Sequence, residues 1–117
     1  MTGQDRHSDH LRQMLNAARQ ISEYASGMSK EAFLADSKTQ DAVIMKLLVI
    51  GELAAKLIDT DSRFVTDHPS VPWHQMKGMR NRMAHGYFEL DLDVVWDTIE
   101  TAIPDLETKL RAIAAPV

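Results

Sequence analysis

The sequence of 117 residues contains no cysteine. This absence excludes a disulfide framework, a zinc site built from thiolates and a cysteine nucleophile. It also fits the reducing cytoplasm, where we expect the protein to reside. The first ten residues are polar and charged, so a secretory signal peptide is not expected.

Long uninterrupted apolar runs are absent as well. The longest apolar stretch, residues 42–58, is interrupted by three charged residues, Lys46, Glu52 and Lys56. A helix that crosses a membrane rarely tolerates so many charges, so no membrane association is expected. With 44% hydrophobic and 26% charged residues, the composition is that of one globular domain. We expect it to span residues 1–117, with its core between about residues 8 and 113.

The chain lacks a positive balance overall, since its formal net charge is −4. That value argues against a generally basic protein that binds nucleic acid over its whole surface. The charge is unevenly distributed, however. Residues 68–88 contain three basic residues and no acidic one, so this stretch carries +3 and the rest of the chain −7. A local cationic patch can bind phosphates on an acidic protein, because nearby charges dominate the field at a site.

Strict alternation of apolar and polar residues, the pattern of a surface strand, is missing too. Apolar spacings of three and four instead predict long helices over residues 9–25, 39–58 and 73–85, and a fourth starting near Asp91 or Asp93. A short helical turn is expected near Ser29, whereas the prolines in residues 59–72 favour a connector without helix. The sequence therefore predicts an all-α, up-and-down bundle of four to five helices.

Four positions in or next to these helices carry residues that are uncommon there. Gly51 costs a helix interior about 1 kcal/mol, which close approach of a neighbouring helix could offset. Gly86 is placed to end the third helix in a left-handed conformation, and Pro104 should kink the fourth or delay its start. Glu52 is a candidate buried charge in an apolar helix. Either Lys56 pairs with it one turn later, or it forms a polar contact with the third helix.

The third helix carries the residues that point to chemistry. Lys77, Asn81 and His85 follow one another at intervals of four and form one polar stripe, Arg80 flanks it, and Tyr87 lies just beyond. Arginine holds phosphate oxygens, and an imidazole takes up or releases a proton near neutral pH. A base for a ribose 2′-hydroxyl and an arginine for the developing charge would suffice to cleave RNA without a metal.

This interpretation has open points. One chain offers a single well-placed histidine where an acid and a base are ideally needed, which suggests a second copy across a dimer. Basic residues at a helix C-terminus are also favoured by the helix dipole alone, so a solvated basic face remains an alternative. His7 and His10 have the spacing of a pair of metal ligands. They lie in a terminus that is expected to fray, however, and no metal site is predicted.

Residues 80–87, Arg-Asn-Arg-Met-Ala-His-Gly-Tyr, match the pattern R-x4-H-x-Y. With residues 50–56, 68–73 and 91–96, in the same order, the chain closely resembles the HepT-like branch of the HEPN domains. This resemblance implies an all-α homodimer with the arginine and histidine of both subunits in an interface cleft. It also implies a metal-independent ribonuclease that is the toxin of a toxin–antitoxin pair. The antitoxin would be a small nucleotidyltransferase that transfers AMP to the motif tyrosine.

Carried over position by position, the resemblance makes Arg80 and His85 the catalytic pair and Tyr87 the acceptor of AMP. Asn81 corresponds to the polar residue after the arginine, and Lys77 and Arg82 are expected to support RNA binding. No metal and no cofactor are expected. Two alternatives remain open: a non-catalytic subunit that binds nucleotide or presents a substrate to a nucleotidyltransferase, and a plain helical dimerisation module.

Overall fold

A computed structural model describes the backbone of residues 3–114 and the side chains of residues 7–113. The α-helices in these residues are α1 (Gly3–Tyr24), α2 (Lys30–Leu34), α3 (Ser37–Thr60), α4 (Ser62–Asp67), α5 (Trp73–His85), α6 (Leu92–Asp97) and α7 (Ile103–Ala114). A 3-10 turn covers Tyr87–Glu89, and a π-helical segment, Thr98–Ala102, joins α6 to α7. No strand occurs between residues 3 and 114, so the all-α prediction is confirmed. Among these helices, none is both long and apolar enough to cross a membrane.

Helix α3 is the centre of the bundle. Its buried residues form a broad face that covers somewhat more than half of its circumference: Val43, Ile44, Leu47, Ile50, Gly51, Leu53, Ala54, Ala55 and Leu57. Helix α1 packs on one side of it and α5 on another, while α7 packs against α1. An apolar face this broad needs more than one neighbour to cover it, which explains why the longest helix occupies the middle. The predicted helix over residues 39–58 is confirmed and extends two residues further at each end.

The contact between α3 and α5 is closest at Gly51. A Cβ atom built on Gly51 would lie 2.3 Å from Cβ of Arg80 and 2.7 Å from the backbone oxygen of Met76. Both distances are far below van der Waals contact, so only a residue without a side chain fits there. The prediction that a neighbouring helix approaches Gly51 closely is confirmed, and that helix is α5.

Helix α1 starts earlier than predicted, at Gly3 instead of residue 9. The reason is a tertiary contact. His7 Nδ1 donates a hydrogen bond to Asp61 Oδ2 at 2.6 Å, and the imidazole stacks on the ring of Phe64 at 4.2 Å between centroids. This hydrogen bond keeps the pKa of Asp61 below its usual value. The expectation of a frayed terminus at His7 is therefore wrong.

The connector between α3 and α5 was predicted without helix but contains α4. The carboxylate of Asp61 accepts a hydrogen bond from the backbone N–H of Phe64, which caps the new helix, and Val65 is buried beneath it. The helix ends at Asp67, and His68, which follows it, directly precedes Pro69. The prolines thus limit the length of α4 to six residues instead of preventing it.

The expectation for Gly86 is wrong, whereas the expectation that Pro104 marks a delayed helix start is confirmed. Gly86 has φ −137°, so α5 does not end in a left-handed residue; the chain passes directly into the 3-10 turn, whose Glu89 N–H bonds to the oxygen of Gly86. Pro104 lies at the start of α7, directly after the π-helical segment. A proline lacks an N–H and its ring crowds the preceding turn, and the wider π turn gives it room. The fourth predicted helix starts at Leu92 with Asp91 as its cap, as expected.

We expect Gly51→Ala to lower the free energy of unfolding by about 1–3 kcal/mol, because the new methyl group overpacks the contact with α5. Denaturation in urea would measure this. Gly78→Ala is the matched control: its Cβ meets no atom within 4 Å, and alanine should stabilise α5 by up to about 1 kcal/mol. A Gly51→Ala chain as stable as the wild type would contradict the close contact.

Candidate active site

Helix α5 turns its apolar side to the core and its polar side outward. Trp73 and Met83 are buried, and Met76 and Met79 are partly buried against the same core. The indole Nε1 of Trp73 donates to the backbone oxygen of His68 at 3.0 Å, which anchors the start of the helix. This packing fixes which directions the remaining side chains of α5 can take. The helix spans residues 73–85, as the sequence predicted.

Arg80 leaves α5 at the point of closest contact with α3. Its stem passes over Gly51, and its Nη1 donates a hydrogen bond to Oε1 of Glu52 at 2.7 Å. The Nε atom is buried and makes no hydrogen bond within the described part of the chain. About a quarter of the Arg80 side chain remains exposed. The guanidinium is therefore held at one end by a carboxylate while part of it still faces solvent.

Glu52 resolves one of the alternatives left by the sequence. It forms its ion pair with Arg80 of α5, which is the polar contact with the third helix. The prediction of a buried charge is wrong, since about half of the Glu52 side chain is exposed. A solvent-exposed carboxylate can orient a guanidinium without a large desolvation cost.

Tyr87 is also held by α3. Its hydroxyl donates a hydrogen bond to Oδ1 of Asp41 at 2.7 Å, and its ring meets that of Phe88 edge-on. The hydrogen bond to Asp41, followed by the negative charge of that carboxylate, raises the pKa of Tyr87 above its ordinary value. Nearly half of Tyr87 is exposed. The phenol is thus accessible, neutral and fixed in direction.

Asp41 and Glu52 lie on the same face of α3. Eleven residues separate them, which corresponds to about three helical turns and about 16 Å along the axis. One carboxylate holds the phenol of Tyr87 and the other the guanidinium of Arg80. Sequence analysis missed Asp41. The eleven-residue spacing to Glu52 was the available signal, because it places both acids on one side of a helix.

His85 lies on a different side of α5 from Arg80. Five residues along a helix correspond to a rotation of about 140° and a rise of about 7.5 Å. Arg80 lines a shallow depression of about 440 Å³ with Glu52, whereas His85 lines a separate cavity of about 570 Å³ together with Arg82. The structure therefore does not bring Arg80 and His85 into one pocket of a single chain.

The cavity beside His85 is apolar inside and charged at its rim. Met79, Met83, Leu90, Val94 and Val95 form its apolar lining. Arg82, Glu89 and Asp91 lie at its edges with the exposed imidazole. Apolar walls with a few polar groups at the edge are typical of a pocket for a small ligand.

Lys77 and Asn81 complete the stripe predicted from their spacing. Lys77 is half-buried, and Asn81 and Arg82 are exposed. Between residues 7 and 113, neither Lys77 nor Arg82 has a carboxylate within ion-pair distance. Over the same residues there is no group of three or more side chains suited to hold a metal ion. The charges of Lys77 and Arg82 are therefore available to an anionic ligand.

Comparisons with known proteins identify the family of the chain. The model of the ribonuclease HepT-like family matches residues 14–113, which include all the site residues described above. The chain belongs to the HepT-like ribonuclease family. A probable ribonuclease HepT of Thermococcus cleftensis is 40% identical over 107 residues, which cover 92% of this chain and 94% of that protein.

Other relatives of this HepT-like chain carry similar names. A putative RNase of Methanocaldococcus jannaschii is 36% identical over 81% of this chain and 76% of its own length. A putative RNase of Caldanaerobacter subterraneus is 32% identical over 89% of this chain and 90% of its own length. No solved structure matches the chain.

The geometry of Arg80 predicts that its ion pair orients the guanidinium more than it stabilises the fold. A double-mutant cycle with Glu52→Gln and Arg80→Gln should give a coupling energy of about 0–1 kcal/mol in urea denaturation. Glutamine keeps the first carbons of the Arg80 stem against Gly51, so packing is preserved. A coupling energy above about 2 kcal/mol would contradict this assignment.

Proposed function

We propose that this HepT-like chain is the toxin of a toxin–antitoxin system and cleaves RNA without a metal ion. The observation that carries the proposal is the arrangement on α5. Arg80 and His85 of the R-x4-H-x-Y pattern both reach solvent, in a stretch with no acidic residue of its own from His68 to Phe88. The names of the relatives support ribonuclease activity. Such activity would take place in the cytoplasm, on the RNA of the cell.

In this mechanism, His85 takes the proton of a ribose 2′-hydroxyl while water protonates the leaving 5′-oxygen, or the two exchange these roles. The 2′-oxygen bonds to the adjacent phosphorus, and the bond from phosphorus to the 5′-oxygen breaks. The products are a 2′,3′-cyclic phosphate and a 5′-hydroxyl. Arg80 stabilises the negative charge that develops on the phosphorus oxygens. Lys77, Asn81 and Arg82 hold neighbouring phosphates and sugars.

We propose further that the active site needs two copies of the chain. Arg80 and His85 of one chain line different depressions, which supports a site that takes one of these groups from each subunit. The depression beside Arg80 is lined by apolar residues of α3 and α5: Leu48, Val49, Leu53 and Ala84. Exposed Met45 extends this apolar area on α3. An exposed apolar surface with charged residues beside it is typical of a protein–protein interface.

The antitoxin in this proposal is a nucleotidyltransferase that neutralises the chain by adenylylating Tyr87. The exposed phenol, two residues beyond His85, supports this role. A phosphodiester on Tyr87 would place a negative charge beside the cationic stretch and repel the phosphates of RNA. The cavity beside His85 is large enough to take an adenine base.

We expect Arg80→Gln and His85→Ala to reduce RNA cleavage by about 10²-fold or more, because each removes a group that acts in the transition state. The assay follows RNA in the presence of EDTA and identifies the 2′,3′-cyclic phosphate on the products. His74→Ala is the matched control, since His74 is an exposed histidine on the same helix but outside the pattern.

Three results of this assay would contradict different parts of the proposal. Cleavage that persists unchanged in both variants would overturn the assignment of the catalytic pair. Cleavage that vanishes with EDTA in the wild type would overturn metal independence. A wild-type chain that cleaves no RNA but is required for the activity of the transferase would favour the non-catalytic partner subunit instead.

The two-copy site predicts that inactive variants complement each other. The proposed dimer has two sites, each with Arg80 from one chain and His85 from the other. In a C2 dimer of Arg80→Gln with His85→Ala, one such site therefore has both groups intact and the other has neither. An equal mixture that exchanges subunits should recover about a quarter of the wild-type activity, because about half of the dimers are mixed. Each variant alone serves as the control. No recovery in mixed dimers, verified by mass, would show that Arg80 and His85 act within one chain.

A further inference from the structure

The hydrogen bond between Tyr87 and Asp41 has no role in the cleavage of RNA proposed above. It joins two segments that lie 46 residues apart, the start of α3 and the turn after α5. Both side chains are exposed, so water could satisfy either of them without this contact. Within residues 7–113, Asp41 forms no ion pair with a basic residue. Its carboxylate is thus aimed at a single partner, the phenol.

We propose that Asp41 is the general base that accepts the proton of Tyr87 when AMP is transferred to this tyrosine. This inference rests on the proposed function of Tyr87 and adds a residue to it. The donor is a nucleoside triphosphate, ATP, and the transfer is catalysed by the partner nucleotidyltransferase. Asp41 belongs to the acceptor chain, which therefore supplies both the nucleophile and its base.

The transfer replaces one phosphorus–oxygen bond by another. The Tyr87 hydroxyl oxygen forms a bond with the α-phosphorus of ATP, and the bond from that phosphorus to the bridging oxygen of the β-phosphate breaks. Pyrophosphate leaves with the electron pair of the broken bond. The proton of the phenol passes along the existing hydrogen bond to the carboxylate of Asp41, which later releases it to water. No oxidation or reduction takes place.

The surroundings of Tyr87 explain why a base is needed there. The carboxylate of Asp41 raises the pKa of the phenol, so the free phenolate is rarer than for an ordinary tyrosine. A neutral phenol is a weak nucleophile, and a base that takes its proton during attack compensates for this. At 2.7 Å, Asp41 is within reach for that transfer without any movement of the backbone. Among the described residues, Asp41 provides the charge that acts on Tyr87.

The test compares AMP transfer to the wild type and to Asp41→Asn, with the cognate nucleotidyltransferase and ATP, by intact mass over time. An asparagine oxygen can still accept the hydrogen bond from Tyr87 but does not take its proton at neutral pH. We expect transfer to Asp41→Asn to be about 10²-fold slower at pH 7. Asp41→Glu should recover part of the rate, because it restores a carboxylate.

The pH dependence separates proton transfer from mere positioning. Without the base, transfer depends on the small fraction of phenolate, which rises about tenfold per pH unit below the pKa of the phenol. The ratio of wild-type to variant rates should therefore shrink as the pH rises from 7 to 9. This ratio cancels the pH dependence of the transferase itself. Equal rates, or a ratio that stays constant with pH, would overturn the role of Asp41.

Two further variants keep this inference distinct from the proposed function. Tyr87→Phe should gain no AMP, whereas Tyr24→Phe, which removes the other tyrosine of the chain, should be modified normally. A wild type that gains no AMP, or a Tyr87→Phe chain that still gains it, would overturn the proposed acceptor and not Asp41 alone. Thermal unfolding of each variant verifies that it is folded.

Discussion

The close contact between α3 and α5 at Gly51 determines the geometry of the candidate site. Because no side chain separates the two helices there, Arg80 passes directly over α3. Glu52, the residue after Gly51, can therefore reach its guanidinium. The same approach brings the turn after α5 close to the start of α3, where Asp41 meets Tyr87. The cost of a glycine in a helix interior is thus offset by contacts that the site itself uses.

Carboxylates on one face of α3 give the site its electrostatic character. The chain is acidic overall, yet residues 68–88, which carry the pattern residues, contain no acid. The two carboxylates that contact this stretch, Glu52 and Asp41, belong to α3. They hold the guanidinium of Arg80 and the phenol of Tyr87, while His85 stays exposed on another side of α5. A rigid helix therefore orients the two groups on which the proposed function depends.

Most of the fold could be predicted from periodicity, because the buried faces of α1, α3 and α5 repeat every three or four residues. Gly51 was predictable too, since a glycine amid apolar helix residues needs a compensating contact. The early start of α1 and the presence of α4 were not, because they depend on His7, Asp61 and Phe64 meeting in space. The role of Asp41 could not be predicted either, because only the folded position of Tyr87 distinguishes it from other exposed carboxylates on a helix. The left-handed end assigned to Gly86 failed because a 3-10 turn continues the chain there.

The separation of Arg80 and His85 onto two sides of α5 has a consequence for the dose of the protein in a cell. If cleavage needs two chains, activity at low abundance rises with the square of the chain concentration. A low background concentration of the chain then gives very little cleavage, whereas a tenfold rise in concentration gives about a hundredfold rise in activity. In the proposed two-chain site, helix geometry alone, five residues and about 140° of rotation, would thus make RNA cleavage depend steeply on the abundance of the chain.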